Sequence, residues 1–574
     1  MKHFLFSSAI AGLLATSALA QDITIFTAQK IITMEDSQPE ATAVAVDLDA
    51  GRIVSVGTLD SLSDYVDDQK SNIDRQFDDK ILMPGFIDPH VHPSLPAVLS
   101  QFPFLAPDDW YLPTGEFPGA TTHEAYVARL QELVADYQAN NTEPAIPFVA
   151  WGYHQLWHGD VKRPLLTELF PDTPVILWHR SFHEVILNDA AIELLDVKPS
   201  DVEKYAHETD WDGGHFWENG AKILVAKMPF LFAPERYGKG MANFLEMLHQ
   251  GGVTTALDMG VGIFGDPAGE TALIRQTADA LQPPARIILT PIITDFLARG
   301  KTPEEALAEI QQWTAESTSR VLYDNHFKLM MDGAIFSGLS QYGFPGYKDG
   351  HEGLWMAPLE VTEEWGRFFW NAGFQLHAHT NGDLSAKELI RMVRGYQAET
   401  PRSDHRTVLE HFAFAHEDQL RQMAALGIAV SANPYYQYIL ADIYAERWLG
   451  ADIARNMVPL GSAKRQGVVS ALHSDAPMGP LQPLVLVETA VMRTSINGNQ
   501  NNPAEALDRH DALRGITIDA AWIINREDDV GSIRAGKKAD FVVLEADPYS
   551  VPADQMGEIG IWGTVFEGQV YPVE

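Results

Sequence analysis

The middle of the chain alternates short, almost uniformly apolar runs with stretches of helical character. The runs cover residues 79–90 (DKILMPGFIDPH), 251–260, 286–293, 326–333, 374–383, 406–414, 427–434 and 467–477. Runs of this length read as strands of a parallel sheet buried on both faces. Segments such as TPEEALAEIQQWTAES and HEDQLRQMAALG fall between them as helices. Eight such units predict an α/β chain folded as a closed (β/α)8 barrel, a TIM barrel, in preference to an open sheet.

The two ends have a different pattern. DITIFTAQKIITM and ATAVAVDLDAGRIVSVG near the start, and ADFVVLEAD and IWGTVFEGQVYPV near the finish, alternate apolar and polar residues as half-buried antiparallel strands do. They predict a small β-sandwich formed from both chain ends, residues 21–80 and 516–574, flanking a barrel over 81–515. The stretch from about 94 to 250 is far longer than a βα connection needs. Its tryptophans and prolines predict a large inserted lid subdomain after barrel strand 1, lying over the barrel mouth.

Residues 1–20, MKHFLFSSAIAGLLATSALA, carry a lysine, an apolar stretch and Ala18-Leu19-Ala20. That is the pattern of a cleaved secretory signal peptide, and the apolar run is shorter than a membrane span needs. The expected location is the periplasm or the medium. With no cysteine in 574 residues there is neither a disulfide nor a lipobox thiol, and metal ligands must come from His, Asp, Glu or Lys. The 46% hydrophobic and 21% charged content is that of a globular chain. A formal charge of −37 with no basic stripe argues against nucleic acid and anionic membrane as partners. A small-molecule substrate is expected, and a homodimer is compatible with the sequence.

The candidate chemistry sits at the ends of the predicted strands. His90 and His92 close strand one, at the i and i+2 positions that share a strand face. Lys328 and Asp332 lie on strand four, His377 and His379 on strand five, His411 on strand six, and His473 and Asp475 on strand eight. The C-terminal ends of barrel strands meet at one mouth, so residues far apart in sequence can gather around one metal ion.

PGFIDPHVH, KLMMDG, HTNGD, LEH and HSDAP, in that order, resemble the metal-dependent amidohydrolase superfamily, and more narrowly its amidohydrolase-3 branch, which includes N-substituted formamide deformylases. The tail GSIRAGKKADFVVLEADP resembles that family's closing strands. The resemblance implies His90, His92, His379, His411 and Asp475 as metal ligands, and Lys328 as a ligand once carboxylated. It implies one or two divalent metals, zinc foremost, with Asp475 as the catalytic proton shuttle. Trp151, Trp157, His183 and Asn188 fit the family's lid motifs. With Asp332, His377 and His473 they form the expected substrate pocket. Asn381, His473 and Asp189 depart from the family pattern. The implied reaction is hydrolysis of a non-peptide C–N bond (amide, formamide or cyclic amide) by a metal-activated water. Lactone or ester hydrolysis and deamination can use the same ligands, and an exported non-catalytic binding protein is the alternative from another class.

Overall fold

The computed structural model describes residues 23–66, 71–141, 143 and 145–573. The signal-peptide expectation for residues 1–20 lies outside them. Among the described residues no helix is long and apolar enough to cross a membrane.

In chain order, β1 (Ile23–Ile32), β2 (Glu40–Asp47), β3 (Arg52–Gly57) and β4 (Ser71–Pro84) precede β5 (Phe86–Val91). The insertion carries β6 (Trp110–Leu112), β7 (Gly115–Phe117), β8 (Phe148–Tyr153), β9 (Val175–His179), β10 (Glu184–Leu187), β11 (Thr209–Asp210) and β12 (His215–Trp217). Then follow β13 (Val253–Val261), β14 (Arg286–Pro291), β15 (Val321–Tyr323), β16 (His326–Met330), β17 (Gln375–Thr380), β18 (Val408–His411), β19 (Ala429–Ala432) and β20 (Ser470–Leu472). β21 (Phe541–Leu544), β22 (Ile561–Phe566) and β23 (Gln569–Pro572) end the chain.

The predicted barrel strands are all present and all parallel. One sheet runs β15-β14-β13-β5 and a second β16-β17-β18-β19-β20. The fourth predicted strand, 326–333, is β16, which pairs with β17; a short strand just before it that the pattern did not predict, β15, pairs with β14. Parallel bridges Ile292–Lys328 and Val91–Ala476 join the two sheets at both sides and complete the ring. Helices follow the strands, among them Pro303–Ala315, which starts on a Thr302/Glu305 capping box with proline in its first turn.

Strand one needs a correction. Residues 79–90 are not one strand: Ile81, Leu82 and Met83 belong to β4, where Leu82 pairs with Val543 and Met83 with Val542. The break falls at Gly85, whose N–H donates to Asp540 O at 2.9 Å, and a Cβ there would lie 2.2 Å from Thr254 Oγ1. Only glycine lets the chain pass from one sheet to the other at this spot.

The expected sandwich takes the form of one seven-stranded sheet, β23-β22-β21-β4-β1-β2-β3, built from both chain ends. The stretch from 516 is not all sheet. Residues Ile518–Ile523 form a helix whose Ala520, Ala521 and Ile523 pack with Ile87 and Leu257 of the barrel, and the sheet resumes only at Phe541. Leading from the insertion into β13 is the helix Pro234–Gln250, and the insertion has its own sheet, β11-β12-β10-β9-β8.

Candidate active site

β5 alternates Asp88 and His90 on one face, and His92 continues that face beyond the strand. Asp88 accepts hydrogen bonds from His90 N at 3.2 Å and from Ser474 N and Oγ, at 3.2 and 2.5 Å for its Oδ2. Asp475 N donates to His90 O at 3.0 Å and His92 N to Ala476 O at 3.1 Å. These bonds lace the first strand to the turn after the last. Asp475 (φ 56°) and His411 (φ 73°) both hold left-handed backbone conformations that a side chain resists. The surrounding bonds impose them, and both side chains turn into one cluster as a result.

Within that cluster Asp475 Oδ1 lies 3.4 Å from His90 Nε2 and 3.2 Å from His92 Nε2. Asp475 Oδ2 lies 3.5 Å from His411 Nδ1 and accepts from the Tyr436 hydroxyl at 3.2 Å. The His379 ring stands 4.2 Å from that of His411, and its Nε2 is 3.0 Å from Asn381 Nδ2. Lys328 is buried beneath, with no partner for its Nζ. Burial draws that ammonium down to about 8, against the opposing pull of Glu410 and Asp475. His90, His379, His411 and His473 are held well below the usual imidazole range, chiefly by burial and next by nearby positive groups. They are neutral rings with a lone pair to give.

His90 Nε2, His92 Nδ1, His411 Nε2, His473 Nε2 and Lys328 Nζ are buried without a hydrogen-bond partner. Each such orphan costs about 1–3 kcal/mol, so a group of them is tolerated where something else completes it. Ligand atoms of His90, His92 and Asp475 lie within 4.8 Å of one another, as do those of His90, His411 and His473. Neutral imidazoles and a carboxylate at this spacing fit a divalent metal ion.

Glu410 organises the cluster from below. Its Oε2 is 2.7 Å from His90 Nδ1 and its Oε1 2.7 Å from His377 Nδ1. A carboxylate on Nδ1 fixes the His90 tautomer and leaves Nε2 toward Asp475. Sequence reasoning missed Glu410 because neighbours on a strand point to opposite faces; the left-handed turn at His411 turns both inward. Tyr436 was missed as well, since nothing in its stretch of the helix Tyr435–Arg447 distinguishes it from core.

The cluster forms the floor of a cavity of about 310 Å³. Its walls come from barrel loops and from the insertion, with Phe182, Val225, Phe232, Ile263, Phe264 and Met356 as apolar lining. Polar side chains interrupt that lining, among them Ser181, His183, Glu218, Lys222, Asp295 and Asn381. A larger groove of about 510 Å³ between Asp109–Tyr111 and Pro480–Met492 contains none of the clustered histidines, so the chemistry belongs to the smaller space.

Several expected pocket residues stand elsewhere. Trp151 is core, packed on Phe104, Trp110 and Phe182, and Trp157 packs half-buried against the same cluster. Asn188 caps the helix Asp189–Leu194 and bonds Val175 N, Phe170 O and Thr173 O, which consumes its whole amide. Asp332 accepts from the backbone N–H groups of Gln341, Asn381 and Gly382, holding two loops together. His377 lies under the floor, 3.1 Å from His326. His473 joins the histidine cluster and does not line the cavity. Of the residues expected in the pocket, His183 alone lines it.

A profile of the amidohydrolase family matches residues 78–572. An N-substituted formamide deformylase of Arthrobacter pascens is 26% identical over 543 residues, covering 92% of this chain and 94% of that one. An uncharacterised metal-dependent hydrolase of Pyrococcus horikoshii superposes with TM-score 0.69 at 18% identity, over 92% of this chain and 99% of that one. An adenosine deaminase of Xanthomonas campestris with bound zinc gives TM-score 0.53 at 14% identity, over 95% and 92%. The two superpositions establish the shared barrel architecture, and the profile spans nearly the whole described chain. The chain belongs to the amidohydrolase family and is a hydrolase of non-peptide carbon–nitrogen bonds.

Proposed function

We propose that the protein is an exported hydrolase that cleaves the amide bond of a small, uncharged N-substituted amide, formamides foremost. One observation carries the reading: partnerless histidine nitrogens and Asp475 converge on the floor of a cavity whose walls are mostly apolar. A mostly apolar lining with a few placed polar groups suits a small organic molecule. Acidic and basic side chains both reach the lining, Asp295 and Glu218 beside Lys222, so neither charge sign is selected and a neutral substrate fits. The relative from Arthrobacter pascens supports an N-substituted formamide. Export rests on the sequence of residues 1–20.

His90, His92, His379, His411 and Asp475 would hold one or two divalent ions, zinc being the expected metal, with Lys328 beside them. An ammonium has no lone pair, so Lys328 joins as a ligand only after losing its proton and taking up carbon dioxide as a carbamate. Its displacement to about 8 makes the free amine accessible near neutral pH. A zinc ion in this position supplies Lewis acidity and an acidified water, whose pKa falls from ~15.7 to ~7.

Asp475 takes the proton of the attacking water on one carboxylate oxygen and returns it to the leaving nitrogen as the C–N bond breaks. The Tyr436 hydroxyl donates to Oδ2 and so leaves Oδ1 for the proton. Glu410 keeps His90 turned toward Asp475. The apolar walls receive the nitrogen substituent and keep bulk water from the reacting carbonyl.

A panel of N-alkyl and N-arylalkyl formamides, lactones and aminated heterocycles, run beside elemental analysis, tests the reading. Formamide turnover with stoichiometric metal is expected. Turnover confined to lactones, or to release of ammonia from the heterocycles, would replace it.

A further inference from the structure

The inserted subdomain brings to the cavity a charged pair that the chemistry above leaves unused. His183 lies just before β10 and Glu218 just after β12. The antiparallel ladder pairs Glu184 with Trp217, which places 183 and 218 opposite each other on the next rung, and Glu218 N donates to His183 O at 2.9 Å. The two carboxylate oxygens of Glu218 lie 3.0 and 3.1 Å from His183 Nδ1. The Glu218 side chain is 5% exposed, whereas the His183 ring is 26% exposed and faces the cavity shared with His92, His379 and Asn381. Among the described residues His183 Nε2 has no hydrogen-bond partner.

Glu218 holds its place at a cost, with φ 47° and ψ −116°. A strained non-glycine residue at a cavity wall persists only where the surrounding fold over-determines it, and such residues cluster at functional sites. The nearby His179 makes a useful contrast. Both its ring nitrogens are consumed by Ser181 and Gln155, and burial draws it down to about 4. It is structural, and His183 is differently placed.

We propose that His183, gripped at Nδ1 by Glu218, presents Nε2–H to the carbonyl oxygen of the substrate. The inference rests on the hydrolase reading above and adds a residue from the insertion to its machinery. No covalent step is involved. The proton stays on His183, and its hydrogen bond strengthens as negative charge gathers on the oxygen during attack by water and relaxes when the C–N bond breaks. His183 is the electrophilic donor, Asp475 the proton shuttle, and Glu218 a positioning residue.

Electrostatics agrees with the geometry. Burial opposes a charged ring, but the charge and hydrogen bond of Glu218 outweigh it and His183 is raised above the usual imidazole range. Lys222 pulls it down and Glu184 up, while His179 and His379, also close by, are lowered and neutral. The donating form is the protonated ring. Activity is therefore present below the His183 pKa and lost as pH rises through it. Removing the Glu218 charge lowers that pKa and moves the loss to lower pH.

The experiment is the pH profile of kcat/KM for the wild type, His183→Gln and Glu218→Gln, with metal content and melting curves alongside. N-phenethylformamide is the first probe, replaced by whichever carbonyl substrate the wild type turns over fastest. Expected are full metal in both variants and a loss on the order of 10²–10³-fold in kcat for His183→Gln, the span seen on removing an oxyanion donor. The alkaline limb should vanish in His183→Gln and move to lower pH in Glu218→Gln. Turnover of His183→Gln within about threefold of wild type, less than one removed oxyanion donor costs, with the same limb would overturn the proposal. So would an unshifted limb in Glu218→Gln, which alone decides if His183→Gln melts early or loses metal. A wild type active on lactones and inert to amides would sink the amide reading while leaving this test runnable on the lactone carbonyl.

Discussion

Asp475 meets His90 and His92 through one carboxylate oxygen and His411 and Tyr436 through the other, so its substitution separates proton transfer from metal holding. Asp475→Asn keeps the shape and a carbonyl oxygen but cannot take a proton. It is expected to retain most of the metal and lose on the order of 10²–10⁴-fold in kcat. Loss of metal in step with rate would make Asp475 mainly a ligand. Glu410 does not line the cavity above the cluster and acts through His90 and His377. Glu410→Gln is expected to weaken metal binding about 10–100-fold, as removal of a histidine's carboxylate partner does, read by competition with a chelator. Unchanged metal affinity would leave Glu410 with a packing role. The clustered histidines and Asp475 were legible in the sequence because each ends a strand, and barrel strands end at one mouth. Glu410 was not, because its inward aim depends on a left-handed turn that no residue type announces.

At the scale of elements, the parallel strands were readable as apolar runs, and their borders were less so. The run Ile81–Met83 reads the same whether it feeds the barrel or the terminal sheet, and only Gly85 marks the change. The insertion was legible by its length, but its tryptophans were misleading. Trp151 and Trp157 are large because they fill a core. Asn188 holds the β9 region and the following helix with four bonds. Asn188→Ala removes a cap and strands buried backbone groups, a loss of about 3 kcal/mol in unfolding free energy. KM and metal content per folded molecule are expected to stay at wild-type values. A raised KM with unchanged stability would return Asn188 to the substrate pocket.

Across the whole molecule, the two chain ends are tied to the barrel by charge as well as by packing. Arg286 at the start of β14 donates to Asp540, just before β21, at 2.5 Å, and to Thr255 Oγ1 at 2.9 Å, with Asp540 buried. Asp540→Ala leaves that guanidinium without its main partner. It should cost about 3–5 kcal/mol, seen as an earlier denaturant midpoint, while turnover of the folded enzyme stays within about twofold, since a barrel-to-sheet bond far from the chemistry affects population and not rate. This long-range pairing was invisible in the sequence, where its partners are 254 positions apart. Amide hydrolysis by this chain is expected to depend on a metal held at the barrel floor. The most direct measurement of that dependence is metal content by elemental analysis after dialysis, paired with formamide turnover, for the wild type and His90→Ala. Stoichiometric zinc with turnover in the wild type, and loss of both in the folded variant, is the result predicted. Full zinc in His90→Ala, or undiminished turnover by a metal-stripped wild type, would contradict it.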